Sequence, residues 1–291
     1  MVVATGFFDG VHLGHRFVID ALVGAARERG EESMVITFWP HPRNVLQNGA
    51  RGLRLLSSLD EKKALLESLG VDRVEVINFT REFSQMTTQE YLRDVIMERF
   101  GGTAVLLGYD NRMGRNPASP DEIRAIAEGL GLEVIRTESV AVPSGTIISS
   151  TQIRNLLSEG RVEDAAQMLG YGYSLHGVVV AGNQLGRTIG FPTANMQLYE
   201  PLKMLPGNGV YKVEAETLGR KFTGMCNVGN RPTVSNTSAV SIETNIFDFD
   251  EYIYGLDMRV TFLRKIRDEI RFTDLSQLQV QLKKDREEAL K

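Results

Sequence analysis

The first half of the chain alternates short apolar runs with helical stretches, and this alternation constrains its fold more than any other feature. Alternation of this kind predicts a parallel sheet with helices on both of its faces. Three of the helices are expected to begin at capping boxes, and four are expected to end at glycines. The expected strands are 2–5, 34–38, 73–77, 104–107 and 133–136; the capping boxes are Ser58/Glu61, Thr87/Glu90 and Ser119/Glu122; the glycines are Gly30, Gly70, Gly101 and Gly131.

From residue 174 the pattern changes to short strands separated by Gly, Pro and Asn turns, which predicts a small antiparallel barrel. A length of 291 residues favours two domains. We expect a Rossmann-like α/β domain over 1–170, which includes a helical linker at 149–170, and a β-barrel domain with a C-terminal helix over 171–291. The expected barrel strands are 175–181, 210–216, 222–228, 240–247 and 258–263, and Leu275, Leu278 and Leu282 predict an amphipathic last helix.

Composition excludes several classes of protein. A formal net charge of −4 disfavours a general nucleic-acid surface. No run approaches the ~18 apolar residues of a membrane span. The single cysteine, Cys226, rules out an internal disulfide and suits a reducing compartment. We therefore expect a cytoplasmic protein without nucleic-acid or membrane partners, and the sequence leaves its oligomeric state open.

The segment at residues 6–16, Gly-Phe-Phe-Asp-Gly-Val-His-Leu-Gly-His-Arg, joins the first expected strand to the first expected helix. Backbone N–H groups at a helix N-terminus are unpaired and attract anions, and glycines let the backbone approach a ligand closely. His12 and His15 add two imidazoles, which suits a polyphosphate whose charge grows in a transition state. The alternative, a plain turn with two surface histidines, is disfavoured by the His-x-Gly-His spacing.

Three more segments of the first half are expected at the same edge of the sheet, where ligands of parallel sheets bind. Two prolines stiffen residues 37–42 and restrict the direction of His41. Residues 108–114 contain Asp110. The third segment opens a helix with residues suited to phosphate, namely Ser150, Thr151 and Arg154. Taken one at a time, these features are compatible with an ordinary loop histidine or a helix cap.

The second half contains a glycine-rich segment and an isolated carboxylate. Three glycines four residues apart, Gly182, Gly186 and Gly190, predict a flexible loop suited to phosphates. Thr193 and Asn195 share a face if the following segment is extended, and both offer oxygen ligands for Mg²⁺. On an expected strand, Glu243 is a candidate general base for a hydroxyl; taken alone, the residue favours a structural hydrogen-bonding role.

These motifs resemble those of bacterial FAD synthetases in the first half and of riboflavin kinases in the second. The resemblance implies a bifunctional enzyme that phosphorylates riboflavin to FMN with Mg-ATP and then adenylylates FMN to FAD with release of pyrophosphate. It implies that His12 and His15 stabilise the α-phosphate, that Thr193 and Asn195 bind Mg²⁺, and that Glu243 takes the proton of the riboflavin 5′-hydroxyl. Residues that it implies in nucleotide or flavin binding are Gly6, Phe7, Asp9, Gly14, His41, Asp110, Ser150, Thr151, Arg154, Gly182, Gly186, Arg187, Gly190, Pro192, Arg267 and Phe272, with 267–272 as a flap over the flavin.

Four residues depart from the family pattern. In the family, aromatic residues are usual at the positions of Asn111 and Met113. A basic residue and a glycine are common where Pro117 begins the next segment, and a histidine is common at the position of Asn245. They leave two alternatives open: an active riboflavin kinase with an impaired adenylyltransferase, or a flavin-binding regulator without catalysis. The presence of His12, His15, Thr193, Asn195 and Glu243 favours an enzyme.

Overall fold

The fold was analysed in a computed structural model of the chain. The structure describes residues 1–46, 52–108, 113–115, 118–137, 148–182, 185–231 and 239–291. Packing divides the chain into two compact units, Met1–Ser150 and Thr151–Lys291.

The N-terminal unit contains a five-stranded parallel sheet in the order β3-β2-β1-β4-β5. The central strand β1 places Val3 opposite Met34 of β2 and Val105 of β4. All four residues of β1 are buried, as expected of a strand covered on both faces. The predicted parallel sheet is confirmed. Its strands are β1 (Val2–Thr5), β2 (Ser33–Trp39), β3 (Arg73–Asn78), β4 (Ala104–Leu107) and β5 (Glu133–Arg136).

Helices cover the two faces of this sheet and enclose two apolar cores. One core contains Val3, Ile36 and Leu92, and the other contains Ala4 and Leu22. All three predicted capping boxes are present, and Gly30 ends the first helix in the left-handed conformation. The helices are α1 (Leu13–Arg29), α2 (Pro42–Leu46), α3 (Leu59–Ser68), α4 (Thr88–Glu90), which continues as a π-helix over Tyr91–Arg99, and α5 (Pro120–Gly129), with a 3₁₀ turn at Phe83–Gln85.

The C-terminal unit is a closed six-stranded barrel in the order β10-β7-β6-β11-β8-β9, and each neighbouring pair is antiparallel. The predicted barrel and last helix are confirmed, and β7 is a strand that the sequence pattern did not predict. The elements are α6 (Ser150–Ser158), α7 (Val162–Leu169), β6 (Ser174–Val180), α8 (Leu185–Thr188), β7 (Ala194–Leu198), β8 (Gly209–Thr217), β9 (Arg220–Arg231), β10 (Ala239–Ile246), β11 (Asp257–Arg267) and α9 (Leu275–Leu290).

Helices α6 and α7, expected as a linker at the end of the first domain, pack with the barrel. Gly207 N donates a hydrogen bond to Leu157 O at 2.8 Å, and a Cβ on Gly207 would lie 2.3 Å from Ser158 O. Helix α7 packs on β11 and buries Val162 and Leu169. Packing therefore divides the chain after Ser150, whereas the sequence pattern suggested a boundary after residue 170.

Candidate active sites

The turn between β1 and α1 has an unusual backbone. Phe8 has φ of 50° and Val11 has φ of 36°, values that residues with a Cβ rarely adopt. The turn ends at His12, the N-cap of α1, whose Nδ1 accepts a hydrogen bond from His15 N at 3.3 Å. A neutral His12 that accepts at Nδ1 carries its proton on Nε2. The strained turn therefore places His12 at the N-terminus of α1.

The two predicted histidines form a stacked pair. Their ring centroids are 3.6 Å apart with an interplanar angle of 16°. A Cβ on Gly14 would lie 3.3 Å from the His12 ring, so glycine at this position leaves the imidazole room. The Nδ1 atom of His15 is buried and has no hydrogen-bond partner among the described residues. Together with the helix N-terminus, the pair is suited to an anionic ligand.

Electrostatics keeps His15 neutral in the free protein. Burial lowers the pKa of its imidazole well below the usual value, and coulombic interactions with His12 and Lys62 lower the pKa further. A bound anion would oppose these effects, because a nearby negative charge favours the protonated imidazole.

Asp9 and Ser150, expected as ligand-binding residues, hold the turn in this structure. The Asp9 carboxylate accepts hydrogen bonds from Leu56 N at 2.9 Å and from Ser57 N at 3.1 Å. Ser150 Oγ donates to Asp9 O at 3.1 Å. These contacts attach the turn to the segment before α3 and to the start of α6; a ligand contact by either residue stays a prediction.

An aromatic cleft of about 490 Å³ opens beside the turn, at the carboxyl ends of β1 and β2. Gly6 and Phe7 line it, and the Phe7 ring lies 4.0 Å from the ring of His41. His41 Nδ1 accepts a hydrogen bond from Arg43 N at 3.0 Å. Such a cleft suits a planar aromatic ligand. Its other apolar walls include Phe38, Phe79, Phe83, Tyr91 and Met113.

Several predicted residues of the first site are not brought together by the described structure. Asp110, Asn111 and Pro117 lie outside the described residues. Thr151 and Arg154 follow Ser150 on α6 and belong to the C-terminal unit. Met113, which departs from the family pattern, is buried in the core and lines the aromatic cleft.

The second predicted site lies in the barrel, where register brings its polar residues together. Glu243 of β10 pairs with Asn195 of β7 and with Asn227 of β9. A cleft of about 300 Å³ is lined by Glu243, Thr193 and Phe272. The predicted base therefore faces a cavity, as its role requires. Others that line this cleft are Gly186, Asn245, Arg267 and Glu269.

Close packing explains some residues of the glycine-rich segment. A Cβ on Gly182 would lie 2.2 Å from Asn195 Nδ2, and one on Gly186 would lie 2.2 Å from Phe191 O. A short helix, α8, occupies part of the segment that was expected as an open loop, because Phe191 N turns back to Gly186 O. Asn183 and Gln184 lie outside the described residues.

The oxygen donors of Thr193, Asn195 and Glu243 are of the type that Mg²⁺ prefers. Thr193 lines the 300 Å³ cleft and also an adjoining cleft of about 200 Å³, which Arg187 and Pro192 line as well. The part of the chain that the structure describes holds no group of three or more His, Cys, Asp or Glu placed for a metal. The donors fit a divalent cation that takes its remaining ligands from a bound phosphate.

Two residues of the second site also make structural contacts. Asn245 Nδ2 donates to Pro192 O at 2.7 Å, so this asparagine supports the segment that leads into β7. Arg267 forms a salt bridge of 2.7 Å with Asp285 of α9, whose side chain is 1% exposed. The guanidinium of Arg267 also lies 5.9 Å from the Phe272 ring. The ion pair attaches the start of the expected flap to the last helix.

Sequence reasoning missed Lys62 and Asp285. Lys62 is 1% exposed and lies under the His12–His15 turn; on an amphipathic helix it was indistinguishable from a solvated lysine. Asp285 lies on the last helix among charged residues, and only the structure shows that its carboxylate is buried against Arg267.

Comparison with known proteins shows the family of each half of the chain. Residues 1–152 match the family model described as FAD synthetase, and residues 169–291 match the model described as riboflavin kinase. The bifunctional riboflavin kinase/FMN adenylyltransferase of Listeria monocytogenes is 36% identical over 99% of this chain and 90% of that protein. That of Bacillus subtilis is 35% identical over 100% of this chain and 92% of that protein. The chain belongs to this family. Its N-terminal unit is an FMN adenylyltransferase and its C-terminal unit is a riboflavin kinase, as the sequence motifs predicted.

A solved structure supports the fold of this riboflavin kinase/FMN adenylyltransferase. The crystal structure of a protein from Streptococcus pneumoniae, described as a macrolide-efflux protein, matches with a TM-score of 0.91 and 33% identity. The match covers 98% of this chain and 92% of that one. Among the residues that the structure describes, no helix has the length and apolar character needed to cross a membrane.

Proposed function

We propose that the His12–His15 turn carries out adenylyl transfer in the N-terminal unit. An oxygen of the FMN phosphate attacks the α-phosphorus of ATP, the bond to the bridging oxygen of the β-phosphate breaks, and its electron pair leaves with pyrophosphate. The stacked imidazoles carry this proposal, since they stand at the N-terminus of α1. Most of the catalysis is then positioning and stabilisation of charge.

The flavin ring of FMN is proposed to occupy the aromatic cleft beside this turn. The cleft of about 490 Å³ lies next to Gly6 and Phe7, so a flavin there would direct its phosphate toward the histidines. Asp110, Thr151 and Arg154 remain proposed partners of the nucleotide, with His41 at the edge of the cleft.

In the barrel, we propose Glu243 as the base that accepts the proton of the riboflavin 5′-hydroxyl. Its carboxylate lines the 300 Å³ cleft with Thr193, next to the segment expected to hold ATP, which includes Gly182, Arg187 and Gly190. The hydroxyl oxygen then attacks the γ-phosphorus, and ADP leaves. Thr193 and Asn195 would hold Mg²⁺, which supplies charge neutralisation to the phosphates when bound.

The substrates implied by the family are ATP and flavins. We propose that no nucleic acid or membrane takes part and that the protein works in the cytoplasm. Its lone thiol fits this compartment: Cys226 is buried, and burial raises its pKa to about 12, so that it is poorly reactive.

The experiment that tests both assignments is incubation of the purified chain with riboflavin and Mg-ATP, followed by chromatography of the flavins. We expect FAD as the end product. FMN alone would contradict an active N-terminal site and support the alternative of an impaired adenylyltransferase; unchanged riboflavin would support a binding protein.

Two variants separate the sites. Glu243→Gln should abolish FMN formation and leave added FMN convertible to FAD, because the amide cannot accept the proton. His15→Ala should do the reverse. Glu216→Gln, at an exposed barrel position, is the matched control and should keep both activities. Phosphorylation at the parent rate by Glu243→Gln would refute the base assignment.

A further inference from the structure

Lys62, on α3, carries a positive charge in the interior of the N-terminal unit. Its side chain is 1% exposed. Lysine is seldom buried to this extent without a carboxylate partner. The hydrogen bonds of Lys62 Nζ go to a carbonyl and to a hydroxyl, and Asp9 is the carboxylate whose charge acts on it. The position is therefore costly, and its contacts indicate what it does.

The ammonium group takes part in a closed set of three hydrogen bonds. Lys62 Nζ donates to Phe7 O at 3.0 Å and to Thr37 Oγ1 at 2.9 Å, and Thr37 Oγ1 donates to Phe7 O at 3.2 Å. Nζ also lies 4.1 Å from the centroid of the Phe7 ring. The carbonyl and the ring of Phe7 are thus both held by the same cation.

Phe7 is the residue from which the strained turn starts. Phe8, the next residue, has φ of 50°, and Val11 has φ of 36°. Such conformations persist only where the surroundings fix them from several sides. Lys62 and Thr37 fix the first residue of the turn, and Leu56 and Ser57 fix Asp9 in its middle.

The charge of Lys62 also reaches the histidine pair. It is one of three causes that lower the pKa of His15, after burial and the charge of His12. The ring of Phe8 packs edge-on against His15. The groups whose charge lowers the pKa of His15 are His12 at the start of α1 and Lys62 from α3, and Asp9 acts on Lys62. Arg16, the next residue on α1, donates to Val11 O in the turn.

We propose that Lys62 is a positioning residue of the adenylyltransferase site, which holds the Phe7 carbonyl so that the turn presents His12 and His15 to the phosphates of ATP. This inference rests on the proposed assignment of adenylyl transfer to those histidines. Lys62 does not contact the substrates; it acts through the backbone of the turn and through its charge.

The first test is Lys62→Met in the full chain, which removes the charge and keeps the apolar stem. We expect kcat for FAD synthesis from FMN to fall on the order of 10- to 100-fold, as displaced catalytic groups commonly produce, with riboflavin phosphorylation unchanged. Lys63→Met is the matched control, because Lys63 is the next residue on the same helix and is half-exposed. FAD synthesis within twofold of the parent in Lys62→Met would overturn the proposal.

A second pair of variants covers the case in which Lys62→Met fails to fold. Thr37→Val removes the hydroxyl that joins Lys62 to the Phe7 carbonyl and keeps the shape of the side chain. Thr37→Ser keeps the hydroxyl. We expect a several-fold loss of FAD synthesis in the valine variant and near-parent activity in the serine variant; equal activity in the two would contradict the proposal.

A titration separates positioning from general loss of structure. The chain has four histidines, so their imidazole resonances can be followed individually by NMR. Without Lys62, His15 should titrate at higher pH than in the parent. An unchanged titration of His15 in Lys62→Met would refute the inferred effect of the Lys62 charge on His15. If His15→Ala retained FAD synthesis, the assignment of adenylyl transfer to the two histidines would be wrong. If His15→Ala lost FAD synthesis and Lys62→Met kept full activity, only the proposed role of Lys62 would be refuted.

Discussion

At the scale of single residues, the N-terminal site depends on backbone conformations that are costly in isolation. Phe8 and Val11 both have positive φ, and each such residue costs on the order of 1–3 kcal/mol. The hydrogen bonds to Asp9 and to the Phe7 carbonyl offset this cost. The buried carboxylate of Asp9, expected as a ligand-binding residue, also stabilises the strained turn.

The buried lysine predicts a pH dependence that separates activity from stability. Burial lowers the pKa of Lys62 from 10.5 to about 8, with Asp9 opposing the shift. As pH rises through about 8, Lys62 loses its charge and FAD synthesis should fall, while riboflavin phosphorylation should not follow the same profile. The ratio of the two rates between about pH 7 and about pH 9.5 measures this, and Lys62→Met should give a flat ratio.

The contribution of Lys62 to the free energy of unfolding should rise over the pH range in which FAD synthesis falls. Between about pH 8 and 10.5 the folded lysine is neutral and the unfolded one is charged, so the unfolded state binds more protons. The contribution of Lys62 to the free energy of unfolding therefore rises with pH. A fall in FAD synthesis that coincided with unfolding of the N-terminal unit would contradict this explanation.

At the scale of elements, apolar patterning predicted most of the fold. The five strands of the sheet begin and end within one residue of the expected positions, because each is an apolar run bounded by turn or capping residues. Strand β7 was missed because Ala194–Leu198 follows a segment rich in Gly and Pro and has only weak alternation. Strand β11 extends to Arg267, beyond the apolar run, since its charged residues pair with partners such as Glu288 and Asp285 of α9.

Only part of each site was predictable from the sequence. His12, His15, Thr193, Asn195 and Glu243 were found because their residue types and spacing have a direct chemical meaning. Lys62, Thr37 and Asp285 were not, since their roles arise from burial and from contacts between residues far apart in the sequence.

Helix α9 gives a prediction at this scale. Asp285→Asn removes half of a buried ion pair and leaves the Arg267 guanidinium without its full partner. We expect the free energy of unfolding of the C-terminal unit to fall by about 3–5 kcal/mol and the KM for riboflavin to rise, because residues of the 267–272 segment line the cleft. Urea unfolding and kinase assays measure both effects, and conversion of added FMN to FAD should be unchanged.

Glu288→Gln on the same helix is the control. Its carboxylate pairs with Arg264 at 3.0 Å where both side chains are about a third exposed, so its loss should lower the free energy of unfolding far less than the loss of Asp285 does. Equal effects of the two variants would show that the buried pair has no special role.

At the scale of the whole molecule, each unit has its own core and its own site. We expect a chain of residues 151–291 to fold and to form FMN but no FAD. A chain of residues 171–291 should be less stable, because it lacks α6 and α7 and exposes the surface that they cover. The buried side chains of α6 and α7 that the shorter chain lacks include Leu156, Leu157, Val162, Ala165 and Leu169. Burial of one such leucine contributes about 1.5–3 kcal/mol to the free energy of unfolding.

Thermal unfolding and kinase activity of the two fragments test this boundary. If the shorter fragment matched the longer one in both measurements, a domain boundary after residue 170 would be the better description.

The order of strands in the two sheets has a consequence for aggregation. The barrel is closed, so its strands have no open edge on which another chain can add a strand. The parallel sheet ends at β3 and β5, and both strands are short and carry charge. Arg73 pairs with Glu75 on β3, and Glu133 of β5 pairs with Arg29. Charged side chains on short outer strands discourage edge-to-edge association. Replacement of these charges by apolar residues would make the N-terminal unit, rather than the barrel, the place where self-association begins.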